Sequence, residues 1–248
     1  MSHAPTLVMI PCFAGAPWNL QQLNHLQDWP MRALRLSDDL DDLERLSDHV
    51  LDQVKDLDSY VLVGDSFGAV ISIALATRRP AGLKGLILSG GFAKNPITSP
   101  VLKTLAALAP FFPGPFYREL TLRAHAANLR SVFDSEGEIP WSAKRTREFF
   151  VRETSHRAYV NRIRSVEKSD YTSALQRINV PTLILTPGED RLIGREAAET
   201  MLQGIPESTE VVMPRTGHMF RFSHPGAYSK QVRAYLHRVL PDSARPIQ

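Results

Sequence analysis

The chain of 248 residues has a single cysteine, Cys12. That excludes an internal disulfide and any cysteine-cluster metal site. No spacing of His, Asp and Glu suggests a metal site either, so neither metal nor cofactor is expected. The apolar runs are interrupted by proline and fall short of the roughly 20 residues of a membrane span. The N-terminal Met1-Ser2-His3-Ala4-Pro5 lacks the basic-then-apolar pattern of a secretory signal. A cytoplasmic protein, bound to no membrane, is the resulting expectation. The net charge of +3 is too small a bias to argue for nucleic acid. No repeat or low-complexity tract stands out. What remains, 43% hydrophobic and 22% charged, describes an ordinary globular chain long enough for one large core, or for one domain with an insertion.

The most informative stretch is Gly64-Asp65-Ser66-Phe67-Gly68. This G-x-S-x-G pentapeptide follows the strand-like run Tyr60–Val63 and precedes the small-residue helical run Ala69–Ala76. A sharp strand-to-helix turn holds a serine in a strained conformation and presents its hydroxyl at the top of a sheet. Free backbone N–H groups at the helix start prepare such a serine for acyl chemistry. Without that context the pattern reads equally as a helix entry with a serine cap.

Apolar runs predict strands at Thr6–Ile10, Met31–Leu36, Tyr60–Gly64, Leu83–Ser89, Val180–Thr186 and Glu210–Met213. Helices are predicted from Trp18 to about Gln27, at Ser66–Arg78, Arg195–Gln203 and Ala227–Val239, and along the apolar face Leu40, Leu43, Leu46, Val50, Val54 and Leu57. The acids Asp39, Asp41, Asp42 and Glu44 read as a solvated face that complements the helix dipole. Alternating strands and helices imply a mainly parallel sheet covered on both faces. Residues 92–178 break the rhythm: prolines 96, 100, 110, 113 and 115 come first, then helical sequence, notably Ser142 to about Val166. The expected organisation is a core of residues 1–91 and 179–248 with residues 92–178 as an inserted helical cap.

Three segments fall at C-terminal strand ends, the edge where open α/β sheets bind ligands. They are Cys12-Phe13-Ala14-Gly15, Pro187-Gly188-Glu189-Asp190-Arg191-Leu192-Ile193 and Thr216-Gly217-His218-Met219. A serine needs a base, and a histidine needs an acid to fix its tautomer. Ser66, Asp190 and His218 supply these in the chain order of α/β-hydrolases. Glu189 is the alternative acid. His224, before Pro225, reads as a helix-start residue. His3, His25, His49, His125, His156 and His237 have no comparable context, and Cys12 reads as a small buried filler whose thiol would make the oxyanion loop sensitive to alkylation.

On these residues the chain resembles the α/β-hydrolase superfamily over nearly its whole length. The resemblance implies Ser66 as nucleophile, His218 as general base and Asp190 as the acid. It also implies oxyanion donors in the backbone N–H groups of Phe67 and Phe13, although Pro11-Cys12 stands where the family often has His-Gly. The short lead before the first strand, where many members carry a hairpin, points to a shortened, mostly parallel six-stranded sheet.

Gly217-His218 followed by Ser223-His224-Pro225 resembles the matching segment of esterases that cleave pimeloyl-carrier-protein methyl ester in biotin synthesis. This implies a small carboxylesterase, with an acidic acyl carrier protein as partner to a basic cap. Arg145, Arg152, Arg157 and Arg164 are the docking candidates, against the plain alternative of a solvated helix face. Trp18 is a candidate for lining the acyl site. Leu105, Leu108, Phe111, Phe112, Phe116, Phe133 and Phe149 are candidates for a pocket roof, or for packing of the cap. Three activities stay open: carboxylic ester hydrolysis, the same triad acting on thioesters, lactones or C–C bonds, and ligand binding without turnover.

Overall fold

A computed structural model describes residues 4–19, 24–97, 100–108, 111 and 115–241. Its sheet has six strands: β1 (Thr6–Ile10), β2 (Met31–Ala33), β3 (Tyr60–Asp65), β4 (Leu83–Ser89), β5 (Thr182–Pro187) and β6 (Ser208–Met213). The order is β2-β1-β3-β4-β5-β6 and every pairing is parallel, from Leu7 against Met31 at one edge to Pro187 against Met213 at the other. The expected shortened sheet is thus all-parallel.

Side chains of one strand alternate between faces. Along β1, Val8 and Ile10 join one apolar cluster, while Leu7 and Met9 join another on the opposite face. Both faces are therefore dry, as a parallel sheet requires. Helices α1 (Leu43–Val54) and α2 (Phe67–Ala76) cover the first face, and α1 turns Leu43, Leu46, Val50 and Val54 inward. The Asp42 carboxylate caps α1 by accepting from the N–H groups of Glu44 and Arg45. Every residue of α2 is buried, which explains why its sequence is small and apolar all round.

Between β4 and β5 the described residues form α3 (Pro100–Leu108), α4 (Pro115–Asn128), α5 (Val132–Ser135), α6 (Ala143–Glu153), α7 (His156–Glu167) and a 3₁₀ turn, Thr172–Arg177. This is the helical cap. The core closes with α8 (Arg195–Gly204), α9 (Phe220–Ser223) and α10 (Pro225–Val239). No described helix is long and apolar enough to cross a membrane.

Beyond shifts of a few residues at other element ends, the structure departs from expectation in three places. β2 ends at Ala33 rather than Leu36, because the Leu36 N–H leaves the sheet to bond the Gly15 carbonyl at 3.0 Å. The expected helix from Trp18 to Gln27 is reduced to a 3₁₀ turn at Asn24–Leu26, and residues 20–23 lie outside the described part. The helical run from Ser142 to Val166 is two helices. Thr154 is extended, and the Ser155 hydroxyl starts α7 afresh by accepting from the Ala158 N–H at 3.0 Å.

Candidate active site

Ser66 sits between β3 and α2 with φ +54°, a left-handed conformation that a non-glycine residue adopts only under constraint. Its N–H is held by the Ser89 carbonyl of the neighbouring strand at 2.8 Å. Gly68 lies so close to β1 that a Cβ would come within 2.5 Å of the Ile10 carbonyl oxygen. The second glycine of the pentapeptide thus permits the approach of helix and strand.

The loops after β5 and β6 bring Asp190 and His218 to this turn. Asp190 Oδ2 lies 2.6 Å from His218 Nδ1, and His218 Nε2 lies 2.9 Å from Ser66 Oγ. A carboxylate only accepts, so Nδ1 carries the proton and Nε2 accepts from the serine hydroxyl. The other carboxylate oxygen of Asp190 accepts from the N–H groups of Leu192 and Ile193, at 2.8 and 3.1 Å, which fixes the acid in place. Glu189 is exposed, and it is Asp190 that stands beside His218. Burial by itself would lower the His218 pKa. The charge and hydrogen bond of Asp190, with the charges of Asp65 and Asp134, outweigh it and leave the imidazole raised above 6.5.

Phe67 opens α2, so its N–H has no acceptor within the helix. Phe13 lies across from it, the two rings 5.8 Å apart. The Cys12 carbonyl accepts from the Gly15 N–H at 2.8 Å. Carbonyl and N–H of one trans peptide point oppositely, so this turn directs the Phe13 N–H away from Gly15. Cys12 is buried and its thiol is pushed up to about 11 by burial and the Asp65 charge, which keeps it protonated at neutral pH.

Two recesses meet at Ser66. The larger, of about 80 Å³, runs under the cap between Phe92 and Ile193 of the core and Thr121, Asn128, Tyr159 and Ile163 of α4 and α7. No Asp, Glu, Lys or Arg is among the described residues that line it. The smaller, of about 10 Å³, reaches His218 and is closed by Leu129, Phe150 and Phe222. His125 borders both. Its ring packs against Phe13, tilted, and against Phe150, edge to face, with centroids 5.1 and 5.0 Å away. Burial, helped by the nearby His218, pushes its pKa down to about 4, so it is neutral at working pH.

Other expected site residues lie elsewhere. Trp18 lines neither recess. The loop after β1 turns its ring to the opposite face of the sheet, onto Tyr228 and under the Arg221 guanidinium at 3.9 Å. Of the expected roof, Phe149 packs on Trp141 and Phe222, while Leu108 and Phe111 are exposed. Phe133 lies in an outer cleft beside Arg191. The side chains of Leu105, Phe112 and Phe116 lie outside the described residues.

All four expected docking arginines have partners within the chain. Arg145 stacks on Trp141 and donates to the Pro140 carbonyl, and Arg152 pairs with Glu153. Arg157 pairs with Asp39, and Arg164 with Asp41. The acidic run before α1 is therefore more than a solvated face, because it receives α7 of the cap.

Three charged residues that shape the site were not anticipated. Asp134 of α5 accepts from the N–H groups of Gly217 and Met219, both at 3.2 Å, and from the Ser223 hydroxyl at 2.7 Å. It grips both sides of His218 from the cap. Arg221 is buried against Asp65. Arg162 is buried on α7 among Ala158, Tyr159, Ile163 and Val166. A charge within that apolar stripe was the signal available in the sequence.

Comparison with known proteins agrees with this architecture. Residues 30–222 match the family Hydrolase_4, described as serine aminopeptidase, S33. A proline iminopeptidase of Saccharolobus solfataricus is 24% identical over 231 residues, 83% of this chain and 73% of the relative. A 2-hydroxy-6-oxononadienedioate/2-hydroxy-6-oxononatrienedioate hydrolase of Cupriavidus pinatubonensis is 24% identical over 197 residues, 75% of this chain and 65% of the relative. A hydrolase from Pseudomonas aeruginosa superposes with a TM-score of 0.80 at 19% identity, covering 94% of this chain and 90% of its own.

Proposed function

The chain belongs to the Hydrolase_4 family and has the α/β-hydrolase fold, and on that premise we propose that it is a serine carboxylesterase acting on neutral, apolar acyl groups. One observation carries the reading: the hydrogen-bonded chain Ser66–His218–Asp190 opens into a cavity with no charged side chain among its described lining. Ser66 Oγ attacks the ester carbonyl while His218 Nε2 takes its proton. The Phe13 and Phe67 N–H groups receive the developing oxyanion. His218 returns the proton to the leaving alcohol as the acyl-enzyme forms. A water then enters the smaller recess, which His218 lines, and attacks the acyl carbon as His218 takes its proton; that proton passes to Ser66 Oγ as the bond to the acyl group breaks and the acid leaves.

Recess sizes set the substrate's proportions. A water-sized group needs roughly 10–15 Å³. The smaller recess, about 10 Å³, then suits one such group, the attacking water. The larger, about 80 Å³, suits an acyl chain of about four to six carbons.

The similar iminopeptidase and dienedioate hydrolase carry names that imply a terminal ammonium and a carboxylate on their substrates. A buried charge requires a partner. No described residue of this cavity supplies one, which favours an ester or lactone. The internal pairing of Arg145, Arg152, Arg157 and Arg164 likewise favours a free small-molecule ester over a carrier-protein ester.

The test is kcat/KM for p-nitrophenyl acetate, butyrate, hexanoate and octanoate beside a lactone, a prolyl anilide and a vinylogous diketone. Butyrate and hexanoate should lead. A prolyl anilide or a diketone turned over faster than every ester would replace this reading.

A further inference from the structure

Arg162 is 1% exposed, yet it belongs to the cap and its contacts belong to the core. Nη1 donates to the carbonyls of both Phe13 and Ala14 at 2.9 Å, and Nη2 donates to Asp38 Oδ1 at 2.8 Å. Burial lowers its pKa, with Asp38 opposing, and the side chain stays a cation. Asp38 is itself tied to α7, accepting from the Ser155 hydroxyl at 2.8 Å and, through its backbone carbonyl, from the Asn161 amide at 2.9 Å. Gly15 has φ +73°, and a Cβ there would stand 2.3 Å from Nη2. Guanidinium and loop are therefore fitted against each other with no room for a methyl group.

The two carbonyls that Arg162 holds belong to the peptides following Phe13 and Ala14. The peptide preceding Phe13 is held by the Gly15 N–H. Three consecutive peptide planes are thereby fixed, and the first carries the Phe13 N–H. We propose that Arg162 is a positioning residue of the oxyanion hole, delivered by the cap, so that the loop takes its working geometry only with the cap seated. The inference rests on the reading of the Phe13 N–H as an oxyanion donor. Arg162 touches no substrate and acts through the loop. Its expected signature is a loss confined to the tetrahedral state.

The test compares wild type, Arg162→Met and Gly15→Ala with p-nitrophenyl butyrate. Arg162→Met keeps the side-chain stem and removes the guanidinium; Gly15→Ala displaces the guanidinium and leaves it present. Each variant is also titrated with a butyl trifluoromethyl ketone, which forms a tetrahedral adduct on the serine, and with butyramide, which does not. In both variants kcat should fall roughly 10–100-fold, less than the loss of a whole donor. KM should stay within about threefold, the ketone should weaken in proportion to kcat, and butyramide should be unaffected. Unchanged kcat in either folded variant, or equal weakening of ketone and amide, would make Arg162 a cap fastener only. If Arg162→Met does not fold, Arg162→Lys, which keeps a cation but loses the fork that spans loop and Asp38, takes its place with the same readouts. A wild type without ester turnover would instead remove the functional reading, and this inference with it.

Discussion

Arg221 donates from Nε and Nη2 to a single carboxylate oxygen of Asp65, at 2.8 and 2.7 Å, with both side chains at most 5% exposed. Asp65 immediately precedes Ser66, and Arg221 follows His218 by three residues. The pair therefore ties the nucleophile's turn to the histidine's turn from behind. Its guanidinium is sandwiched between Trp18 and Phe222, each ring centroid 3.9 Å away.

Breaking a buried pair leaves an uncompensated charge. Arg221→Met should cost about 3–5 kcal/mol, read as a lower urea midpoint at unchanged slope. Adding Asp65→Leu should restore part of that stability, because the stranded carboxylate is gone. A double variant less stable than Arg221→Met would contradict the pairing.

Asp190 is expected to govern the pH dependence. His218 works as a base only when neutral, and its pKa is raised above 6.5. Wild-type kcat/KM should accordingly fall as pH drops through a value above 6.5. Asp190→Asn removes the charge that does most of the raising, so the acidic limb should move to lower pH. Its kcat should drop by roughly 10⁴-fold because the tautomer is no longer held. A pH–rate profile of both proteins checks the two effects together; an unmoved acidic limb would count against the assignment.

Asp134 is the cap's hold on the histidine loop. Asp134→Ala leaves the buried N–H groups of Gly217 and Met219 without the acceptor they have now. An unsatisfied buried donor costs about 1–3 kcal/mol. Urea unfolding should show a loss of about 3 kcal/mol, and kcat should fall with it as His218 loses its fixed position. Wild-type stability in the variant would show that the loop holds itself.

The absence of charge among the described residues that line the cavity gives a substrate prediction independent of any substitution. Methyl hexanoate and monomethyl adipate share a reacting ester, but the adipate carries a carboxylate at the far end. Burying that carboxylate unpaired costs several kcal/mol, so kcat/KM should be on the order of 10²–10³ lower for the adipate. Equal rates would mean that a cation reaches the chain end.

The sheet was legible because each strand is a short apolar run at the right spacing, and the Ser66 turn because a pentapeptide lies between strand and helix. Asp190 and His218 followed from their places at strand ends. Trp18 was misread because nearness in sequence to the oxyanion loop says nothing about which face of the sheet a ring will cover. His125 was passed over because a histidine on a cap helix has no local signature, and only the tertiary approach of α4 to Phe13 brings it to the site. Asp39 and Asp41 read as a solvated run because their partners, Arg157 and Arg164, lie more than a hundred residues away. Loops gripped through backbone groups, as Asp134 and Arg162 grip theirs, leave no residue pattern at the gripped end.

The most direct test of the account is hydrolysis of p-nitrophenyl butyrate by wild type and by Ser66→Ala purified identically. The account requires turnover by the wild type and a loss on the order of 10⁴-fold or more in the variant. Comparable rates from the two proteins would remove Ser66 from the chemistry and contradict the account.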